Sequence, residues 1–352
     1  MADISKQLTE RVETAYREEM PLNIIGDGSK PFIGRAAEGA PFDVAEHSGI
    51  VSYKPTELVI TARCGTSMEE ILAELAEHGQ ICPFEPPLMS GSSTLGGILA
   101  CNLSGPARPW LGSIRDAVLG VHLINGKGEY LRFGGQVIKN VAGYDVSRLQ
   151  AGALGTLGVI TEVSFKVLPK PVASATAMLE MDAATAIKQM NQLAGQPTPI
   201  SGAAWWDGRL YLRFQGASRA VAEAVKQQGG ESVAEADPLW EGLTEQTIDY
   251  FQGDAPLWRF SLNANADHFF ADQPWLIDWG GNQRWLRGTF DQAELESLAQ
   301  QARGHVTLFR DGDRSGEVHQ TLPVVQQKIL KNLKAAFDPK GILNPGRLYS
   351  WL

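Results

Sequence analysis

The sequence predicts an α+β protein of two domains, and three observations carry that prediction. The chain has 352 residues, too many for one ordinary hydrophobic core. Its alternating apolar runs are bounded by glycine turns and followed by amphipathic helices, as in antiparallel sheets backed by helices. Its composition also changes midway. Fourteen of the 37 glycines fall between Gly91 and Gly158, whereas eight of the nine tryptophans lie from Trp205 onward.

The elements follow in order. Residues 4–19 have Ile4, Leu8, Val12 and Tyr16 (or Ala15) at helical spacing. "PLNIIGDGSKPFIG" is a short strand running into a glycine turn, and "ELVITARCG" is a second strand. "TSMEEILAELAEHG" is a helix, with Thr66 as its N-cap, Glu69 three residues on and Gly79 as its stop. "AVLGVHLINGKGEYLRF" is a hairpin turning at Asn125-Gly126-Lys127-Gly128. "LGVITEVSFKVLPKP" closes the first half, and the prolines at 169 and 171 place the domain boundary after residue 171. The domains are therefore 1–171 and 172–352. The second contains a weak repeat. "AAWWDGRLYLRF" and its following helix are echoed by "LIDWGGNQRWLRG" and "QAELESLAQQARG", each a strand, turn, strand and helix. Two such units could form one antiparallel sheet. The tail is a helix ended by Pro339 and then a turn-rich segment.

Composition narrows the function classes. A net charge of −9 without a long basic run argues against a general nucleic-acid binder. No apolar stretch approaches the ~20 residues of a membrane span, and the charged N-terminus lacks a signal-peptide core. Cys64, Cys82 and Cys101 are odd in number and widely spaced, which fits a reduced, cytoplasmic chain better than a disulfide frame or zinc site. Against this acidic background, residues 91–158 carry six basic residues (Arg108, Arg115, Lys127, Arg132, Lys139, Arg148) and three acidic ones. Glycine lets a ligand lie against main chain, so a glycine-rich, locally basic region points to an anionic ligand. A turn-rich β domain without a ligand would have the same composition.

Four glycine segments stand out. "GDGSKPFIG", Gly26 to Gly34, could form an amide nest for a diphosphate, with Lys30 adding charge. It is neither a Walker loop nor G-x-G-x-x-G. The second contains Thr94, Gly96, Gly97, Asn102 and Gly105. The third is "GSIRDAVLG" and the fourth "GALGTLGVIT". Each alone could be structural, but their order and spacing together are harder to dismiss.

In that order they resemble the FAD-binding oxidoreductases of the vanillyl-alcohol oxidase and para-cresol methylhydroxylase superfamily. The C-terminal Asp338-Pro339-Lys340-Gly341-Ile342-Leu343-Asn344-Pro345-Gly346 matches that superfamily's closing pattern. "PTELVITARCGT", "ACNLSGPARPW", "RFGG…KNVAGYD" and "LIDWGG" are similar to the smaller flavin subunits of bacterial glycolate oxidases. The resemblance implies a para-cresol methylhydroxylase-type fold: an FAD domain of two α+β subdomains, then an α+β cap with an antiparallel sheet, whose tail returns to the flavin. It places Gly26, Gly28, Ser29, Lys30 and Pro31 at the FAD pyrophosphate. Thr94, Gly96, Gly97, Asn102, Arg115 and Asp116 would line the ribityl and adenosine path. Gly155, Gly158 and Ile160 would form the opposite wall, with Asn344 returning to the flavin. Some relatives bond flavin covalently through a histidine in the first loop; Ser29 and Lys30 stand there, so the FAD is expected to be non-covalent.

The implied reaction is oxidation of glycolate to glyoxylate in a complex. The flavin accepts hydride, and a larger flavin subunit and an iron–sulfur subunit are partners. The localisation implied is cytoplasmic, with attachment to the inner face of the membrane through those partners. Hydroxy-acid relatives also carry "G-H-x-G-D-G-N-x-H". Here "GHVTLFRDGDRSG" keeps Gly304, His305 and a loose Asp311-Gly312-Asp313, but lacks the closing Asn and His, so no metal is expected. His305 equally reads as the start of a strand. A carboxylate substrate calls for arginine, and the candidates are Arg347, Arg310 and Arg259, in that order. Two alternatives remain: a stand-alone FAD-dependent dehydrogenase of another small 2-hydroxy acid, and a non-catalytic FAD-binding scaffold. The incomplete histidine motif leans towards a supporting role.

Overall fold

Two antiparallel sheets organise the chain, which a computed structural model describes over residues 2–89, 92–136 and 144–352. Gly91, Lys139, Gly143 and most of "KNVAGYD" lie outside the described residues.

The first sheet has five strands in the order Ile50–Lys54, Val59–Arg63, Val159–Lys166, Val118–Ile124 and Tyr130–Gly134. Val159–Lys166 is central, and its β-branched run is buried on both faces. A smaller parallel pair, Leu22–Ile25 with Ala40–Asp43, holds the first glycine segment between its strands. The helix Ser5–Glu18 packs Leu8, Val12 and Ala15 into the core. Tyr16 is only partly buried, so the stripe runs through Ala15. The helix Met68–Glu77 corrects the expected cap. Ser67 Oγ accepts from Glu70 N at 3.1 Å, while Thr66 Oγ1 accepts from Gly49 N at 2.9 Å. Thr66 is spent on an inter-strand turn, which leaves the capping position to the next hydroxyl.

The second sheet has eight strands. From edge to edge they are Glu231–Ser232, Ala173–Glu180, Arg209–Gly216, Ile200–Trp206, Trp275–Asp278, Gln283–Arg287, Leu257–Ser261 and His305–Arg310. Read outward from the centre, both halves repeat one order. The hairpin's first strand comes first, then its second, then the strand preceding the hairpin, then the strand after the following helix. The helices are Ser218–Gln228 and Gln292–Gln301. The weak sequence repeat is therefore a structural one, joined back to back at Trp205 and Ile277. Asp207 and Gly208 close the first hairpin at φ 51° and 74°, as a two-residue turn matching strand twist requires.

Alternation along these strands divides the sheet. Ile277, Leu286 and Leu308 face the helices Ala183–Ala194, Ser218–Gln228 and Gln292–Gln301. Their neighbours Leu276, Trp285 and Phe309 face the first half, packing with Ile33, Met89, Leu103 and Leu154. After the helix Val324–Phe337 the tail returns to the small parallel pair, where Leu343 bridges Leu22. Among the described residues, no helix is long and apolar enough to cross a membrane.

Candidate functional site

A cavity of about 290 Å³ opens where four segments converge. The Asn23–Pro31 segment leaves the strand Leu22–Ile25. The short helix Leu95–Cys101 brings Gly96, Gly97 and Cys101. The turn before Val159–Lys166 brings Leu154, Gly155 and Gly158, and the tail brings Asn344 and Arg347.

The tail fastens these walls together. Asn344 Oδ1 accepts from Ile24 N at 2.7 Å, and its Nδ2 donates to Leu154 O at 2.6 Å. Asn344 itself sits at φ 42°, a conformation asparagine tolerates. Arg347 donates to Arg35 O at 2.5 Å and Pro31 O at 3.1 Å, so its fork positions the first loop. Lys30 is buried and donates to Ser93 Oγ and, at 3.1 Å, to Ser29 Oγ. Burial lowers its ammonium from the ordinary lysine value, and Cys101, Asp27 and Glu245 oppose that shift. Burial likewise pushes the Cys101 thiol up to about 11, so it is an inert wall rather than a nucleophile.

The lining has room where a cofactor would press against backbone. A Cβ built on Gly28 meets nothing within 4 Å, and one on Gly97 meets only Thr94 Oγ1 at 3.2 Å. This cradle fits a flavin dinucleotide: open backbone at two glycines, one buried ammonium and largely apolar walls. Among the described residues, no histidine lines it.

Gly26, Gly28, Ser29, Lys30, Pro31, Gly96, Gly97, Gly155, Gly158, Ile160 and Asn344 come together at this cavity. Thr94 stands behind it as the cap of Leu95–Cys101, accepting from Gly97 N at 3.3 Å. Asn102 ends that helix with Oδ1 buried and without a protein partner. Arg115 and Asp116 are not brought to the lining. Both are exposed, and Asp116 is spent on a capping box with Ser113. Cys64, Cys101, Leu154 and Ala37 line the cavity without having been singled out. They are ordinary apolar residues, and only the fold assembles them.

The remaining candidates lie on or beside the inward face of the second sheet. Arg310 donates to Gln246 Oε1 at 2.6 Å and lies over the Phe32 ring. Arg259 lies over Phe309. His305 starts the edge strand, and no group of three or more His, Cys, Asp or Glu able to hold a metal occurs among the described residues. Between the halves, Arg213 pairs with Glu85 at 2.6 Å, and Glu85 also accepts from Ala107 N at 2.7 Å.

Asp278, on the same face, is buried, and burial pushes its carboxyl up to about 7 from 3.8. The folded state thus keeps a proton that the unfolded chain releases, and stability falls as pH rises from about 3.8 to about 7. Asp278→Asn retains the acceptor for Trp279 N and removes this titration. Its melting temperature should exceed wild type at about pH 8, with the gap closing towards about pH 4. A gap independent of pH would refute the assignment.

Known proteins resemble the chain throughout. Residues 3–134 match the FAD binding domain family, and residues 313–348 match the C-terminal domain of FAD linked oxidases. The chain is 45% identical to the glycolate oxidase subunit GlcE of Escherichia coli, with 99% of each chain covered. It is 34% identical over 122 residues to the glycolate oxidase subunit GlcD of Bacillus subtilis, covering 35% of this chain and 26% of that one. In structure it is similar to p-cresol methylhydroxylase with substrate bound, with a TM-score of 0.75, 16% identity, and 99% and 88% of the chains covered.

Proposed function

The chain belongs to the family of the glycolate oxidase subunit GlcE, among the FAD-dependent oxidoreductases, and from that membership we propose that it is the FAD-binding subunit of a glycolate-oxidising complex. The observation that carries this reading is the cradle: four separate segments converge on open glycine backbone beside buried Lys30. We assign FAD binding to residues 1–171 and the cap to 172–352, with the tail from Asn344 to Arg347 closing the cavity.

In this assignment the backbone at Gly26, Gly28 and Gly97 approaches the diphosphate, and Lys30, Ser29 and Pro31 hold its flank. Gly155, Gly158 and Ile160 form the facing wall. Bound flavin supplies hydride acceptance from the carbinol carbon of glycolate. This chain's residues orient and enclose it, while Asn344 and Arg347 hold the two walls at a fixed separation. The FAD is non-covalent in this reading, because Ser29 and Lys30 stand in the first loop where some relatives carry the attaching histidine. Electrons leave through partners, a larger flavin subunit and an iron–sulfur subunit, because the three cysteines are dispersed. The complex is cytoplasmic in this reading.

The test begins with the protein alone. It should purify yellow, and acid should release free FAD. Copurified with its partners, it should support glycolate-dependent dye reduction. A colourless protein that added FAD cannot reconstitute would end the reading.

A further inference from the structure

Glu245 is the last residue of the helix Asp237–Glu245, whose Trp240 and Leu243 pack in the interface between the two halves. A carboxylate there faces the negative end of the helix dipole, a placement that other donors must offset. Those donors come from the first half. Glu245 Oε1 accepts from Leu88 N at 2.8 Å, and Oε2 accepts from Met89 N at 2.6 Å. One carboxylate thus takes two consecutive amides. It holds Met89 at φ 51°, in the left-handed region that residues with a side chain seldom adopt. The same short segment is tied to the second half at its start, where Glu85 pairs with Arg213 at 2.6 Å.

The contact continues beyond Leu88. Ser93 Oγ donates to Leu88 O at 2.5 Å. A hydroxyl has one hydrogen, so Ser93 turns its lone pairs elsewhere. One of them meets the Lys30 ammonium, which donates to Ser93 Oγ and, at 3.1 Å, to Ser29 Oγ. Among the described residues these are the two hydrogen bonds of the ammonium. Lys30 lines the cradle, so one N–H is left for the cavity. Ser93 and Lys30 are both buried, and in that low-dielectric setting each link is stronger than it would be in water. Glu245 itself does not line the cradle.

We propose that Glu245 is a positioning residue for the cofactor: acting from the second half through Leu88 and Ser93, it fixes the direction of the Lys30 ammonium and so sets the affinity for the FAD diphosphate. This rests on the proposed function, which takes the cavity as the FAD site. Charge acts in the same direction as geometry. Burial lowers the Lys30 ammonium from the ordinary lysine value. Cys101 on the helix Leu95–Cys101, Asp27 on the same loop and Glu245 from the second half oppose that shift. Arg347 faces Cys101 from the tail. Diphosphate affinity needs the ammonium charged, so it falls as pH rises through the titration of Lys30 in the free protein. Removing the charge of Glu245 moves that fall to lower pH.

The experiment strips flavin from the full chain and titrates the apoprotein with FAD from about pH 6 to pH 10, reading the change in flavin fluorescence. Glu245→Gln keeps the shape and loses the charge. It should weaken FAD by about 10-fold at neutral pH, and its affinity should fall off at lower pH than that of wild type. Lys30→Met should weaken FAD further and flatten the pH dependence. Adding Glu245→Gln to Lys30→Met should then change affinity by less than about 2-fold, because the relay has lost its end. Ser93→Ala should also weaken FAD, and paired with Lys30→Met it carries the test if Glu245→Gln fails to fold. A general loss of stability would instead weaken FAD equally at every pH and multiply with Lys30→Met. Either of those results would overturn the proposal, as would wild-type affinity in Glu245→Gln. Wild-type apoprotein that binds no FAD would overturn the proposed function, so the two failures are distinct.

Discussion

Gly97→Val should give a folded protein that no longer holds FAD, whereas Gly96→Val should give no stable fold. The two glycines are adjacent in the helix Leu95–Cys101, and both contribute to the cavity wall. Their surroundings differ. A Cβ on Gly96 would stand 2.8 Å from Cys64 Cβ and 3.1 Å from Cys64 O, and Gly96 N donates to that same carbonyl at 2.8 Å. Cys64 is buried at the end of a central strand and cannot give way. Valine at 96 must push the helix off the sheet, an overpacking expected to cost about 1–3 kcal/mol or more. At Gly97 the new side chain would meet only Thr94 Oγ1, at 3.2 Å, and open cavity. Replacing glycine within the helix is even slightly favourable, by a few tenths of a kcal/mol. The isopropyl group would occupy the space assigned to the cofactor. Flavin absorbance per mole of Gly97→Val should fall by about 10-fold or more, with a melting temperature close to that of the wild-type apoprotein. Flavin retained by Gly97→Val, or a stable yellow Gly96→Val, would show that the cradle has been placed wrongly.

This contrast marks what the sequence could tell. The order of the glycine segments was legible, and so were the α+β class and the repeat of the second half, because strand alternation and turn residues are local signals. Which glycine of the pair has open cavity beside it was not legible, since it depends on Cys64, some 30 residues earlier. Arg115 and Asp116 show the same limit in reverse. Their spacing matched a pattern, yet Asp116 closes a local capping box, a role decided by the hydroxyl of Ser113 three residues before it. Arg347 was sought as a substrate ligand because of its place beside the tail's turn. The fold spends its fork on two carbonyls over 300 residues away in sequence.

Lys334→Met should be among the most destabilising single changes in the protein, and it should loosen FAD as well. Lys334 lies in the last turn of the exposed tail helix, yet it is the one residue of that helix that is buried. Its ammonium donates to Asp338 Oδ2 at 2.7 Å, Thr156 O at 2.9 Å and Leu343 O at 2.7 Å. Asp338, 1% exposed, also accepts from Ile342 N and Leu343 N. Methionine fills similar volume but strands a buried carboxylate and two carbonyls. Removing one partner of such a pair costs about 3–5 kcal/mol, far more than the intact pair contributes. The loss is directional. Thr156 belongs to the turn that carries Leu154 and Gly155, and Leu343 precedes Asn344, the residue that fastens Ile24 to Leu154. A shift at Lys334 therefore reaches both walls of the cradle. Denaturant midpoints should fall for Lys334→Met. FAD should dissociate more readily from the fraction that folds, and adding Asp338→Leu should recover part of the stability by removing the orphaned charge. Stability within about 0.5 kcal/mol of wild type, the range of a neutral surface change, would sink the argument.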